Sequence, residues 1–332
     1  MSAVDHALAE LAAGRPVVLA QGLRPGDEGD LLVSAQLVDT ATMAFLVRHT
    51  SGFLAVALPQ EACDRLALVP QLPSGGGERV TVDAVGTGTG ISAAARARTA
   101  QVLADPEASS VDLQRPGHVL PLAVRAGGVL SRPGRAEAAV DLTRLAGLAA
   151  GGVLGEVVGT DDPTRMAVGA ELRAFARRHG LAHVTIDELV AHRMRHESVV
   201  ERIVDTRLPV SRASLRAVGY RMPDGTEQVG FVGDRGLGDG ASVVVHRECV
   251  PGEVFGARSC SCRADLDSAL DALARSGGAV VYLRDDAGGH SLLRSRCGTP
   301  LTERERAIAN AVVRDLRSSA TVSVGHASSR VA

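Results

Sequence analysis

Apolar residues in this chain fall in short blocks separated by glycine, proline and polar clusters. Val4 to Ala13 repeats them at helical spacing, and Pro16-Val17-Val18-Leu19-Ala20 is a short apolar run that predicts a buried strand. Gln21 to Asp30 is a polar loop around Pro25. Thr40 to His49 predicts a helix capped by Thr40, and Gly52 to Leu58 predicts the next buried strand. After a Pro/Gly/Ser loop from Pro70 to Arg79, Val80 to Val85 alternates as a strand, and Ser92 suits the cap of an alanine-rich helix to Leu103. Further on, the pattern predicts a helix over Asp141 to Ala150, a strand over Gly152 to Val158, a helix over Ala167 to His179 and a short strand from Val184 to Ile186. Alternating strands and helices point to an α/β layer architecture.

Beyond His192 the character changes. Arg193-Met194-Arg195-His196-Glu197 reads as a charged connector, and Val199 to Ala217 then alternates polar and apolar residues as half-buried strands do. Gln228 to Val232 and Ala241 to His246 predict further strands, followed by a helix from Ala264 to Arg275 and the strand Ala279-Val280-Val281-Tyr282-Leu283. The expected organisation is an α/β domain over residues 1–198 and an α+β domain over residues 199–332. A length of 332 residues suits two such domains.

Charge narrows the possible partners. With 36 basic against 38 acidic residues the net charge is -2, so no overall basic field favours a nucleic-acid backbone or an anionic membrane. Every fixed side-chain cation is an arginine, because the chain has no lysine. The first residues carry Asp5, Glu10 and Arg15 among alanines rather than a secretory pattern. No apolar stretch reaches the roughly 18 residues of a spanning helix. The expectation is a soluble, cytoplasmic protein with no strongly electrostatic partner.

The strongest chemical signal is a cysteine cluster. Cys249, Cys260 and Cys262 form a C-x10-C-x-C pattern after a predicted strand, with Cys63 and Cys297 elsewhere in the chain. In a reducing compartment such clustering points to a metal or to catalysis before disulfides. Three thiolates suit Zn²⁺ and leave a fourth position open for an activated water. Alternatively His246 or His290 closes the site, and the ion is then structural.

The stretch from His246 through Arg247-Glu248-Cys249 to Ser259-Cys260-Ser261-Cys262 resembles the zinc signature of GTP cyclohydrolase II. Arg216-Ala-Val-Gly-Tyr220 and Val281-Tyr-Leu-Arg284 follow the order of that family. The first half resembles 3,4-dihydroxy-2-butanone 4-phosphate synthase, which is often fused ahead of the cyclohydrolase in riboflavin synthesis. Glu28-Gly-Asp30, Arg48-His-Thr-Ser-Gly52, Gly88-Thr-Gly-Ile-Ser92, Arg115-Pro-Gly-His118 and Glu137-Ala-Ala-Val-Asp-Leu142 carry that likeness. The resemblance implies a synthase-like α/β domain followed by a truncated cyclohydrolase-like domain, a homodimer and a phosphorylated small-molecule substrate. It implies Zn²⁺ on Cys249, Cys260 and Cys262, catalytic roles for His118, Glu156 and Arg304, and substrate contacts from Asp30, Arg132 and Glu28.

Departures from both families alter that picture. The synthases hold Mg²⁺ or Mn²⁺ with a Glu and a His, but this chain has Gly26 and Arg135 at those positions. Arg135 sets a cation where a hard dication would sit. The synthase cysteine is Ala55, and an acidic position is Ala95. His118 has a plainer reading as a residue bonded within its own turn, and Glu156 as a structural partner of Arg132 or Arg135. In the second half, Ala287-Gly288-Gly289 replaces the family's Glu-Gly-Arg, which removes the carboxylate that would read guanine. Val244 and Asp265 replace an Arg and a Gln, and Thr302 stands where a catalytic Asp is expected. Two readings follow: an enzyme, unchanged or redirected through its zinc, or a non-catalytic dimeric scaffold.

Overall fold

The computed structural model describes residues 2–22, 24–72, 76–197, 200–210, 213–238, 240–284 and 297–318. The chain divides into two compact units, Met1–Arg193 and Met194–Ala332.

In the first unit the apolar runs become β1 (Val17–Ala20), β2 (Gly29–Ser34), β3 (Ala55–Pro59), β4 (Val82–Ala84), β5 (Leu113–Val124), β6 (Gly152–Glu156) and β7 (His183–Thr185). They form one seven-stranded sheet in the order β4-β5-β3-β6-β2-β1-β7. β3 pairs parallel with β5 and β1 parallel with β7, whereas β2 and β6 run antiparallel to their neighbours. Helices over Thr40–His49 and Ala93–Ala104 cover part of this sheet and share a core with Val33, Val56, Leu58 and Leu103. Central strands are buried on both faces, which is why they read as continuous apolar runs and not as alternation.

Three local readings shift. The helix Thr40–His49 is capped by Asp39, whose carboxylate accepts from the Thr42 amide, so Thr40 is its first residue and not its cap. The helix expected over Asp141 to Ala150 lies instead at Arg135–Leu145, beginning just after Gly134. β5 escapes the periodicity because Pro116, Gly117 and Pro121 interrupt it. Gly117 is required there. A Cβ on it would lie 2.0 Å from the Val82 carbonyl carbon, so only glycine lets β4 approach at this point. Ser92, by contrast, caps its helix as expected, accepting from the Ala95 amide.

The second unit holds β8 (Glu201–Val210), β9 (Ala213–Arg221), β10 (Glu227–Val232), β11 (Val243–Arg247) and β12 (Ala279–Leu283) in a five-stranded sheet of order β11-β12-β10-β9-β8. The helix Cys262–Ser276 buries Ala269 and Leu273 against Leu215 and Val280. A further helix, Glu303–Ser318, has an amphipathic pattern that buries Ile308, Val312 and Leu316. Thr302 starts it with a capping box, in which its hydroxyl accepts from the Glu305 amide and its own amide donates to the Glu305 carboxylate. Among the described residues no helix is long and apolar enough to cross a membrane.

Candidate functional site

β2 and β6 place Asp30 directly opposite Glu156, and the helix that begins at Arg135 points that residue's guanidinium between them. Arg135 Nη1 lies 3.2 Å from Asp30 Oδ2 and 3.5 Å from Glu156 Oε1. Glu28 lies close enough to Glu156 and Arg135 to feel both charges. One fixed cation therefore sits among three carboxylates. The group borders a cavity of about 320 Å³ that Phe53, Glu78 and Arg132 also line.

The electrostatics follow from burial and crowding. Asp30 is buried, and this first of all pushes its carboxyl up to about 6; Arg135 opposes the shift and Glu156 adds to it. The bond to Glu156 and that group's negative charge raise Glu28 as well. Burial alone would weaken the charge on Arg135, but Asp30 and Glu156 together hold it firmly protonated. These residues do not fit a hard dication. Such an ion needs oxygen donors free of a competing cation, and Arg135 already occupies the carboxylates that would supply them. No step through Mg²⁺ or Mn²⁺ can be built on this site.

His118 stands apart from that cavity. It does not bond within its own turn: Nδ1 lies 2.7 Å from Asp83 Oδ2, and its amide donates to Asp83 Oδ1 at 2.9 Å. The close approach at Gly117 brings Asp83 alongside it. A buried carboxylate fixing one ring nitrogen sets the tautomer and presents the other, the arrangement of a positioned acid or base. Sequence reading missed Asp83, and an alternating strand offers no local sign that its carboxylate will face His118. Arg132 is exposed, with only a loose 3.8 Å pairing to Glu137, and presents its guanidinium at the cavity rim. Ala55 lines the same cavity.

The second cluster lies in the second unit. β11 leads to Cys249, and Cys262 opens the helix Cys262–Ser276. Cys297 joins them, unforeseen from spacing. The sulfurs of Cys249, Cys260, Cys262 and Cys297 all lie within 4.8 Å of one another. Cys249 and Cys260 are 3.7 Å apart, Cys297 and Cys249 3.2 Å, and Cys262 and Cys297 2.8 Å. All are free thiols, and the donor set fits a soft, thiophilic metal ion.

His246 is not part of this set, contrary to one of the two expectations for a fourth ligand. Its Nε2 lies 2.9 Å from Glu253 Oε1, which also accepts from the Cys249 amide at 2.8 Å. Tyr282 donates its hydroxyl to the other oxygen of Glu253 at 2.6 Å. Glu253 thereby ties β11, β12 and the Cys249 backbone together. His290 and Ala287-Gly288-Gly289 lie outside the described residues. Arg304, expected to be catalytic, pairs with Asp224 in the turn between β9 and β10. Thr302 serves as a helix cap. The remaining cysteine, Cys63, is buried, and this pushes its thiol up to about 11, so it offers no ready nucleophile.

Comparison with known proteins matches the profile of 3,4-dihydroxy-2-butanone 4-phosphate synthase to residues 5–192 and that of GTP cyclohydrolase II to residues 201–321. The riboflavin biosynthesis protein RibBA of Salinispora arenicola (strain CNS-205) is 47% identical over 294 residues, covering 86% of this chain and 70% of that protein. The RibBA protein of Mycobacterium ulcerans (strain Agy99) is 44% identical over 301 residues, covering 87% and 71%. Among solved structures, RibBX, a two domain 3,4-dihydroxy-2-butanone 4-phosphate synthase from A. baumannii, superposes with a TM-score of 0.74 at 28% identity, covering 95% of this chain and 91% of that one. A 3,4-dihydroxy-2-butanone 4-phosphate synthase solved with two magnesium ions matches with a TM-score of 0.54 at 38% identity, covering 59% of this chain and 98% of its own.

Proposed function

The chain belongs to the riboflavin-biosynthesis family in which a 3,4-dihydroxy-2-butanone 4-phosphate synthase domain precedes a GTP cyclohydrolase II domain, and from that premise we propose that it is a divergent member whose first domain no longer performs the dication-dependent synthase reaction. The observation that carries this reading is Arg135, whose guanidinium lies among Asp30, Glu156 and Glu28. A relative solved with two magnesium ions suggests what the same fold holds elsewhere. Here a fixed cation neutralises the carboxylates, so a ketose entering the cavity meets no electrophilic metal.

What remains suits binding. Arg132 at the rim is placed for a phosphate, and a planar guanidinium recognises phosphate oxygens in bidentate fashion. The carboxylates beside Arg135 suit hydroxyl groups of a sugar phosphate. In the second domain Cys249, Cys260 and Cys262 would hold Zn²⁺. With an open position, such an ion supplies Lewis acidity for hydrolysis; Ala287 in place of the guanine-reading carboxylate argues against GTP as its substrate. A homodimer in the cytoplasm belongs to the same reading, supported by β8, the mostly exposed terminal strand of its sheet.

The test is an assay of the purified chain on ribulose 5-phosphate with saturating Mg²⁺ or Mn²⁺, beside one on GTP with zinc loaded. No turnover of ribulose 5-phosphate is expected, although the sugar phosphate binds by calorimetry. Ordinary turnover overturns the proposal and leaves an active bifunctional enzyme as the better reading.

A further inference from the structure

We propose that Cys297 is a fourth thiolate ligand that closes the metal centre of the second domain, so that its zinc is structural and has no position left for a reacting water. This rests on the reading that the second domain retains a metal ion. It departs from the three-thiolate arrangement with an open position, which spacing alone suggests.

Geometry supports the closed set. A tetrahedral zinc with four Zn–S bonds of about 2.3 Å places its sulfurs about 3.8 Å apart. Cys249 and Cys260 are 3.7 Å apart, and all four sulfurs fall within 4.8 Å. Cys297 lies 2.8 Å from Cys262 and 3.2 Å from Cys249, beyond a disulfide bond of about 2.05 Å but tighter than the zinc spacing, so a bound ion would spread these sulfurs by up to about 1 Å. The four sulfurs come from three separate segments, at Cys249, at Cys260 and Cys262, and at Cys297. Ionised to bind a metal they would repel one another, and a shared dication is what would remove that cost.

Two further features hold this arrangement in place. Arg247, at the end of β11, makes a two-pronged ion pair with Glu305 at 2.7 and 2.8 Å and also donates to Thr299 Oγ1 and to the Pro300 carbonyl. The segment that carries Cys297 is thereby anchored to the strand that leads to Cys249. Gly252 supplies the space: a Cβ there would lie 2.5 Å from Cys260 Sγ and 3.2 Å from Cys249 Sγ. The histidine that spacing offered as a fourth ligand, His246, has its Nε2 engaged by Glu253. Four thiolates satisfy a tetrahedral ion completely, which is the mark of structural zinc sites, whereas catalytic ones keep a position open.

X-ray absorption at the zinc edge on the full chain, purified without chelator, tests the assignment directly. Four sulfur scatterers at about 2.3 Å are expected. Three sulfurs with one oxygen or nitrogen overturn the closed site while leaving the metal centre itself intact. A zinc-free protein, with or without a Cys262 to Cys297 disulfide, overturns both. As a second measure, Cys297→Ser in the cobalt-substituted protein should lose one quarter of the thiolate-to-cobalt charge-transfer intensity, against no loss for Cys63→Ser. The same variant should release zinc to a chromophoric chelator about tenfold faster or more, since even outer partners of a metal ligand change affinity by about 10- to 100-fold. Unchanged charge-transfer intensity in a folded Cys297→Ser protein would exclude Cys297 as a ligand.

Discussion

Asp30 holds its proton well above the range of an ordinary carboxylate, near 6, because it is buried beside a cavity, where Arg135 opposes the shift and two further acids, Glu156 and Glu28, add to it. In an unfolded chain the same group titrates near about 3.9. Between those values the fold binds a proton that the unfolded chain has released, so the stability present below about pH 4 is lost as pH rises through about 6. Asp30→Asn removes that titration. Relative to the parent, its unfolding free energy is therefore expected to rise by about 2–3 kcal/mol between pH 4 and pH 7, read from urea midpoints; a difference that does not change with pH would refute the assignment. Arg135 lends itself to a second test. A side chain at Gly26 would meet nothing within 4 Å, so Gly26→Glu combined with Arg135→His can restore the family's ligand pair without a clash. That double variant is expected to bind Mn²⁺ saturably by calorimetry where the parent does not.

At the scale of elements, function depends on where one segment is allowed to touch another. The approach of β4 to β5 at Gly117 brings Asp83 to His118, and a Cβ at that position would press on backbone atoms that no rotamer change can move. Gly117→Ala is expected to destabilise the first unit by about 1–3 kcal/mol and to release His118 from Asp83, seen as a change in the imidazole's ring-nitrogen chemical shifts by NMR. Unchanged ring shifts in a protein of parental stability would show that glycine is dispensable at this contact. In the second unit the helix Glu303–Ser318 starts with the Thr302 and Glu305 capping box. Thr302→Ala should cost about 1 kcal/mol in chemical denaturation, and a null effect would mean that the box contributes nothing beyond its geometry.

For the whole molecule, two compact units with separate cores predict two separable responses. A strong zinc chelator is expected to lower the thermal midpoint of the second unit and leave that of the first unmoved, because metal binding to the folded state is linked only to the unit that holds the ligands. Equal shifts in both would place a metal in the first unit as well. The two-domain order was legible from the motifs around Glu28-Gly-Asp30, Arg115-Pro-Gly-His118 and Cys260-Ser-Cys262, since short stretches that need a particular turn, charge or thiol carry their meaning locally. The Gly26 and Arg135 substitutions were legible in the same way.

By itself, then, the sequence determined the alternation of strands and helices and three of the four clustered thiols, for which local periodicity and local chemistry suffice; its motifs carried the resemblance that pointed to the family and set Gly26 and Arg135 at the positions where that resemblance implies a dication's ligands. Only the tertiary structure decided that Arg135 would occupy the carboxylates across β2 and β6, that Asp83 would hold His118, that Glu253 would claim His246 and that Cys297 would arrive beside Cys262. Each of those meetings joins residues separated along the chain. Strand register, a backbone contact at a glycine or an anchoring arginine creates them, and none of these leaves a periodic trace in the residues that come together.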